Sequence, residues 1–113
     1  MMHTMTLQPT PFSRMKYGLK TVEVRVFDEK RSNVAVGDDV TFKLATDPAQ
    51  VIVTRVVGLT RYATFQELFS AVPRSTLGMK AEEEWQGVYQ YYTKEEEQEK
   101  GVLAIKVAVL SFA

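Results

Sequence analysis

Residues 18–25 read GLKTVEVR. From Thr21 the stretch alternates, and the alternation runs on to Phe27. Val22, Val24 and Val26 fall on one side; Thr21, Glu23, Arg25 and Phe27 fall on the other. A period of two is the strand period, because successive side chains leave a pleated strand on opposite faces. The valines predict one face in a core. The other face carries an acid and a guanidinium two residues apart, with Lys20 at the bend before them. On an open sheet such charges are solvated, and their ion pairs contribute about 0–1 kcal/mol each. Under a roof of helices or loop the same groups lose water. They can then recognise a polar ligand through charge-assisted hydrogen bonds, with Arg25 forking onto Glu23 or a phosphate.

The segments on either side decide what could form that roof. Upstream, Thr10-Pro11 predicts an N-cap and first turn of a short helix through Tyr17, stopped by Gly18. Residues 1–9, with Met1, Met2, His3 and Met5, are expected to fray. Downstream, Val36-Gly37-Asp38-Asp39 predicts a turn into a strand over 39–44, and TDPAQ (46–50) a second turn. QVIVTRVVGLTRY (50–62) is β-branched and predicts a long strand with a bulge at Gly58. Thr64 with Glu67 forms a capping box for a helix ended by Pro73. In AEEEWQGVYQYY (81–92), Trp85, Val88, Tyr89 and Tyr92 share one helical face, and a core stripe explains them more simply than a ligand site. Tyr91 falls off that face. Thr93 with Glu96 opens an acidic helix whose Glu95–Glu97 are expected to be solvated, as are Glu82–Glu84. Gly101 stops it, and VLAIKVAVLSF (102–112) closes the chain as a strand that needs 21–27 as its neighbour. Strands early and helices late predict an α+β fold: a small mixed or antiparallel β-barrel with flanking helices, one domain over residues 1–113.

Composition narrows the chemistry. There is no cysteine, which excludes disulfides, thiolate metal sites and a cysteine nucleophile. His3 is the sole histidine, so neither a histidine-based zinc site nor a Ser-His-Asp triad is expected; no metal or cofactor is anticipated. Fourteen basic residues balance fourteen acidic ones, so no global field draws the chain to nucleic acid. The halves differ: residues 1–61 hold nine Lys/Arg against six Asp/Glu, and 62–113 hold five against eight. MMHTMTLQPTP lacks the basic start and apolar core of a signal peptide, and no apolar run approaches a membrane span. A cytoplasmic location without membrane association is expected.

Gly18, Lys20, Glu23 and Arg25 together resemble the Gly-x-Lys-x-x-Glu-x-Arg signature of the ASCH domain, a PUA-like family. Further stretches follow in the family's order: VAVGDDVTF, RYATFQELF and EKGVLAIKVAVL. The resemblance covers about residues 12–110 and implies a PUA-like barrel with flanking helices. It also implies RNA or nucleotide binding. Lys20 and Arg25 become candidate contacts to phosphate or base, Glu23 a candidate acceptor, and Tyr89, Tyr91 or Tyr92 candidate stacking platforms, with Tyr91 preferred. One branch of the family resembles amidohydrolases acting on N4-acetylcytidine through lysine, threonine and glutamate; other members resemble ribonucleases. Lys20 would match the catalytic lysine of the former. Glu23, however, stands where that branch has its threonine, and a carboxylate cannot supply hydroxyl chemistry. The third group would be sought among Glu82, Glu83 and Glu84. Three readings stay open: a binding module, a metal-free hydrolase using Lys20 and Glu23, and a protein-interaction domain.

Overall fold

The computed structural model describes residues 1–113. In chain order the elements are β1 (Met2–Leu7), α1 (Pro9–Lys16), β2 (Val22–Val26), α2 (Glu29–Ser32), β3 (Asp39–Leu44), β4 (Asp47–Tyr62), α3 (Phe65–Ala71), α4 (Arg74–Leu77), a 3-10 turn (Trp85–Gln90), α5 (Lys94–Lys100) and β5 (Val102–Phe112). The five strands form one sheet in the order β1-β3-β4-β5-β2, parallel between β1 and β3 and antiparallel elsewhere. The sheet curls into a half-barrel and the helices pack around it. As expected, the first charged strand, β2, lies beside the last strand, β5, pairing Val22 with Lys106 and Val26 with Val102.

Both faces of β5 are buried, and this divides the core in two. Leu103, Ile105 and Val107 point into the barrel with Met5, Met15, Phe42 and Ile52. Val102 and Ala104 point outward under Phe65, Leu68 and Leu77, with Val22 and Val26 beside them. The alternation of β2 thus places its valines toward the outer cluster and Phe27 against the inner one. Thr64 and Thr93 cap α3 and α5, each accepting an N–H three residues on, but only Thr93 and Glu96 complete the expected capping box; Glu67 accepts the Ala63 N–H instead of that of Thr64. Along β4 the ladder shifts between Val56 and Gly58, the bulge expected there. A Cβ on Gly58 would already touch the Lys106 side chain at 3.4 Å.

Five expectations are corrected. The first helix begins a residue before Thr10: α1 is capped by Gln8, without a side-chain cap bond, and Thr10 lies inside it. Residues 2–7 do not fray: they form β1, with Met5 2% exposed and Leu7 also in the core. His3 Nε2 meets Asp38 Oδ2 at 2.8 Å, and the N-terminal ammonium meets Oδ1 at 3.2 Å. Those contacts, with His3's hydrogen bond leading, hold the Asp38 carboxyl at about 2. The turn before β4 is shorter than TDPAQ. Leu44 pairs with Asp47 while Lys43 pairs with Val51, so Pro48–Gln50 bulge from the ladder within β4. Residues 81–92 do not make an α-helix. A 3-10 turn over Trp85–Gln90 forms instead, with Gly87, a poor α-helix former, inside it. Trp85, Val88, Tyr89 and Tyr92 nevertheless pack on the outer cluster, since i and i+3 also align in a 3-10 turn. Finally, Glu97 is buried rather than solvated. Two one-turn helices, α2 and α4, carried no sequence periodicity to reveal them. No helix is long and apolar enough to cross a membrane.

Candidate functional site

The curled sheet is open between its two ends, β1 and β2. Hydrogen bonding fixes which backbone groups face that opening. Val107 N–H donates to the Thr21 carbonyl, and Phe27 N–H donates to that of Gly101, so the odd-numbered residues of β2 bond to β5. The even-numbered ones, Val22, Val24 and Val26, turn their N–H and C=O toward the opening. On β1, Asp39 N–H donates to the Met1 carbonyl and Ala45 N–H to that of Leu7. Thr4 and Thr6 therefore face the opening from the other side. No strand fills the gap, and buried backbone groups left without partners are costly.

The signature side chains take those groups. Lys20 Nζ donates to the Val22 carbonyl at 2.8 Å. Glu23 Oε1 accepts the Val24 N–H at 3.1 Å. Arg25 Nη2 reaches across and donates to the Thr6 carbonyl at 2.8 Å, joining β2 to β1. The three are also paired with one another. Arg25 Nε and Nη2 fork onto Glu23 Oε2 at 3.0 and 2.7 Å, and Lys20 Nζ lies 3.3 Å from Glu23 Oε1. Lys20 and Glu23 are 7% and 6% exposed. Burial alone pushes the Glu23 carboxyl up. Lys20 and Arg25, with the Arg25 and Val24 hydrogen bonds, outweigh it and hold the carboxyl below the usual glutamate range. Burial likewise opposes the Arg25 charge, but Glu23, with Tyr92 adding to it, raises the guanidinium above its ordinary value.

A cleft of about 280 Å³ opens along this seam. Glu23 and Arg25 form its charged floor, Thr6, Gln8 and Pro11 one wall, and Val88, Tyr91 and Tyr92 the other. Lys20 does not line it. The lysine stem is packed under Gly78, where an added Cβ would come within 2.9 Å of Lys20 Cβ. So two of the three signature charges reach the cleft, and the third secures the edge behind them. Arg25 Nη1 donates to neither Glu23 nor Thr6, and the Tyr92 hydroxyl is the further neighbour that steadies the guanidinium. The guanidinium borders the cleft, with Tyr92 beside it. Tyr91 is 63% exposed there, whereas Tyr89 turns to Glu97 and packs on the outer cluster.

Of the acids considered as a third group, Glu83 binds Arg14 at 2.7 Å and also accepts the Lys80 N–H. Neither it nor Glu82 or Glu84 lines the cleft. No cluster of His, Cys, Asp and Glu has the makings of a metal site. A second hollow, of about 320 Å³, lies across β2 and β5 with Lys106 as its one charged lining group. Sequence reasoning missed Thr6, Gln8 and Pro11 because it set residues 1–9 aside and took Pro11 only as a helix starter. A signal was present: His3, Met5 and Leu7 alternate with Thr4 and Thr6.

A curled five-stranded half-barrel with flanking helices is an ASCH- or PUA-like fold. The chain belongs to the ASCH domain family, whose pattern matches residues 5–111; the family is generally RNA-binding-like. Among solved structures it is similar to the hypothetical protein PH0355, at 29% identity and a TM-score of 0.84, covering 97% of this chain and 100% of that one. The solution structure of PF0455 from Pyrococcus furiosus is similar at 25% identity and a TM-score of 0.75, over 98% and 99% of the two chains. An ASCH protein from Zymomonas mobilis shares the fold at 16% identity and a TM-score of 0.65, covering 93% of this chain and 65% of that one. No curated protein is similar enough to this chain to match it.

Proposed function

We propose that this chain is an RNA- or nucleotide-binding ASCH module that holds one nucleotide-sized unit in the seam cleft. The observation that carries the reading is the Arg25 guanidinium, whose Nη1 serves neither Glu23 nor Thr6, at the floor of a cleft walled by an exposed Tyr91. The guanidinium is held in place by Glu23 and Thr6, so ordering it costs a ligand little entropy. It suits a phosphate oxygen or a base carbonyl, and Tyr91 suits a base face. The volume is near the lower end of ligand pockets, about 300 Å³, which fits one nucleotide and not a longer stretch.

Geometry favours binding over turnover. The Lys20 ammonium is engaged by the Val22 carbonyl and Glu23, behind the cleft wall. Glu23 is kept ionised with both oxygens occupied, which is poor preparation for taking or giving a proton. An amidohydrolase of modified nucleosides would need Lys20 or Glu23 free to act.

Titration of short single-stranded RNA and of nucleoside monophosphates tests this. Arg25→Ala should weaken binding about 10- to 100-fold, the value of a charge-assisted hydrogen bond. Tyr91→Ala should weaken RNA binding by about 1–3 kcal/mol without disturbing the fold, because the ring is on the surface. Wild-type protein that binds neither ligand, or two variants that bind as wild type does, would remove the proposal. Turnover of N4-acylcytidines by pure protein, lost in Lys20→Ala, would replace it with the hydrolase.

A further inference from the structure

Glu97 is 7% exposed on α5 and has no cationic partner; none of the ion pairs includes it. Its carboxylate instead joins two pieces of chain that share no ladder. Oε2 accepts the N–H of Phe65, the first residue of α3, at 2.6 Å. Both oxygens accept the Tyr89 hydroxyl, at 2.9 and 3.1 Å. A helix start presents N–H groups without intrahelical partners and a partial positive charge, so this acid is stabilised there without a salt bridge.

What Glu97 holds matters for the cleft. Between Gly78 and Thr93 the chain has a 3-10 turn and no strand or α-helix. That strap supplies one cleft wall: Val88, Tyr91 and Tyr92. Its position cannot come from a backbone ladder and must come from side chains. Phe65 stacks on Tyr92 at 5.8 Å and meets Tyr89 edge-on at 5.8 Å. Tyr89 also leans on Trp85 at 6.1 Å, and Trp85 stacks on Phe69 at 5.6 Å. These aromatic contacts are apolar and tolerate sliding. The Tyr89–Glu97 hydrogen bonds are directional and hold the strap at its cleft end, while the Arg14–Glu83 pair holds its other end.

We propose that Glu97 is a positioning residue for the seam cleft: by holding the Tyr89 hydroxyl it sets the distance between the Val88–Tyr91–Tyr92 wall and Arg25. The proposal rests on the cleft being the binding site, but its first readout needs no ligand. Trp85 is the sole tryptophan and lies in the same stack, so its emission and its quenching by acrylamide report on the strap. Tyr89→Phe deletes the hydroxyl and keeps the ring. Glu97→Gln keeps the shape and leaves one oxygen acceptor where there were two.

Both variants, in the full chain, should quench more readily at Trp85 than wild type. Each should raise the Kd of a hexameric oligouridylate about 3- to 10-fold, as loss of one hydrogen bond does. The double variant should bind no worse than the weaker single, because the two changes break one contact. A role confined to folding would lower the melting temperature, leave Trp85 quenching unchanged in the folded protein and leave the Kd at the wild-type value; that result overturns the proposal. Additive losses of affinity overturn it as well. If wild-type protein fails to bind the oligonucleotide, the binding function falls, and the Trp85 comparison alone decides whether Glu97 sets the wall.

Discussion

Lys20, Glu23 and Arg25 each do two things at once: they neutralise one another, and each takes a backbone group that a sixth strand would otherwise satisfy. The signature is thus a set of edge fasteners as much as a ligand surface. Lys20→Met keeps the aliphatic stem and leaves the Val22 carbonyl bare. Because it also takes one of the two cations from buried Glu23, it should cost about 3–5 kcal/mol in denaturant unfolding, and it should weaken ligand binding less than Arg25→Ala does, since Lys20 does not line the cleft. Glu23→Gln strands two cations and should cost about 3–5 kcal/mol at neutral pH. The same pairing sets a pH dependence. The folded-state value of Glu23 lies below its ordinary 4.5, so its stabilisation is fully present above that value and is lost as pH falls through the depressed one. Glu23→Gln should therefore flatten the acid limb of a stability-versus-pH curve in that window; an unchanged limb would mean that Glu23 carries none of it. Asp38, held at about 2, keeps its charge to lower pH and accounts for part of what remains. Alternation in TVEVRVF placed Glu23 and Arg25 on one face from sequence alone. Where the Lys20 ammonium ends was not readable, because the open edge of β2 exists only relative to β5, which lies far along the chain.

Two elements gained their importance from partners that local sequence does not name. β1 looked like a fraying terminus because MHTMTL is short and partly polar. Its parallel register with β3, Met5 opposite Phe42, buries it. Met5→Ala should cost about 2–5 kcal/mol in thermal or denaturant unfolding, where a frayed residue would cost nothing measurable. The bend after α4 is the second case. Gly78 adopts φ +70°, and Lys20 Cβ would sit 2.9 Å from any added Cβ. Gly78→Ala should lose more than the about 1 kcal/mol of a strained backbone alone, since the Lys20 stem must also move. The loss should be smaller in a Lys20→Gly background, a double-mutant cycle that isolates the clash. Helices α3 and α5 were legible because capping boxes are local signals. The 85–92 strap was legible only as an apolar face: tertiary contacts overrode the helical spacing.

At the scale of the molecule, charge is balanced, fourteen against fourteen, and Arg25 is the one cationic side chain lining the cleft. Binding should therefore depend little on salt. A plot of log affinity against log salt for single-stranded RNA should have a slope between about −0.7 and −1.4, one or two phosphates. A much steeper slope would place the contact on another surface. The fold class was readable from the order of strands and helices, while the strand order was not, because pairing across the chain is set by which faces can be buried together.

That strand order also has a temporal consequence. β2, which bears most of the charged signature, is synthesised well before its ladder partner β5. Until the ribosome has released Val102–Phe112, Glu23 and Arg25 have no neighbouring strand to hold them against Thr6. Nascent chains arrested before that point should be silent in any assay of ligand capture, and the last step of folding should be slow relative to helical domains of this size, because it joins the most distant parts of the sequence.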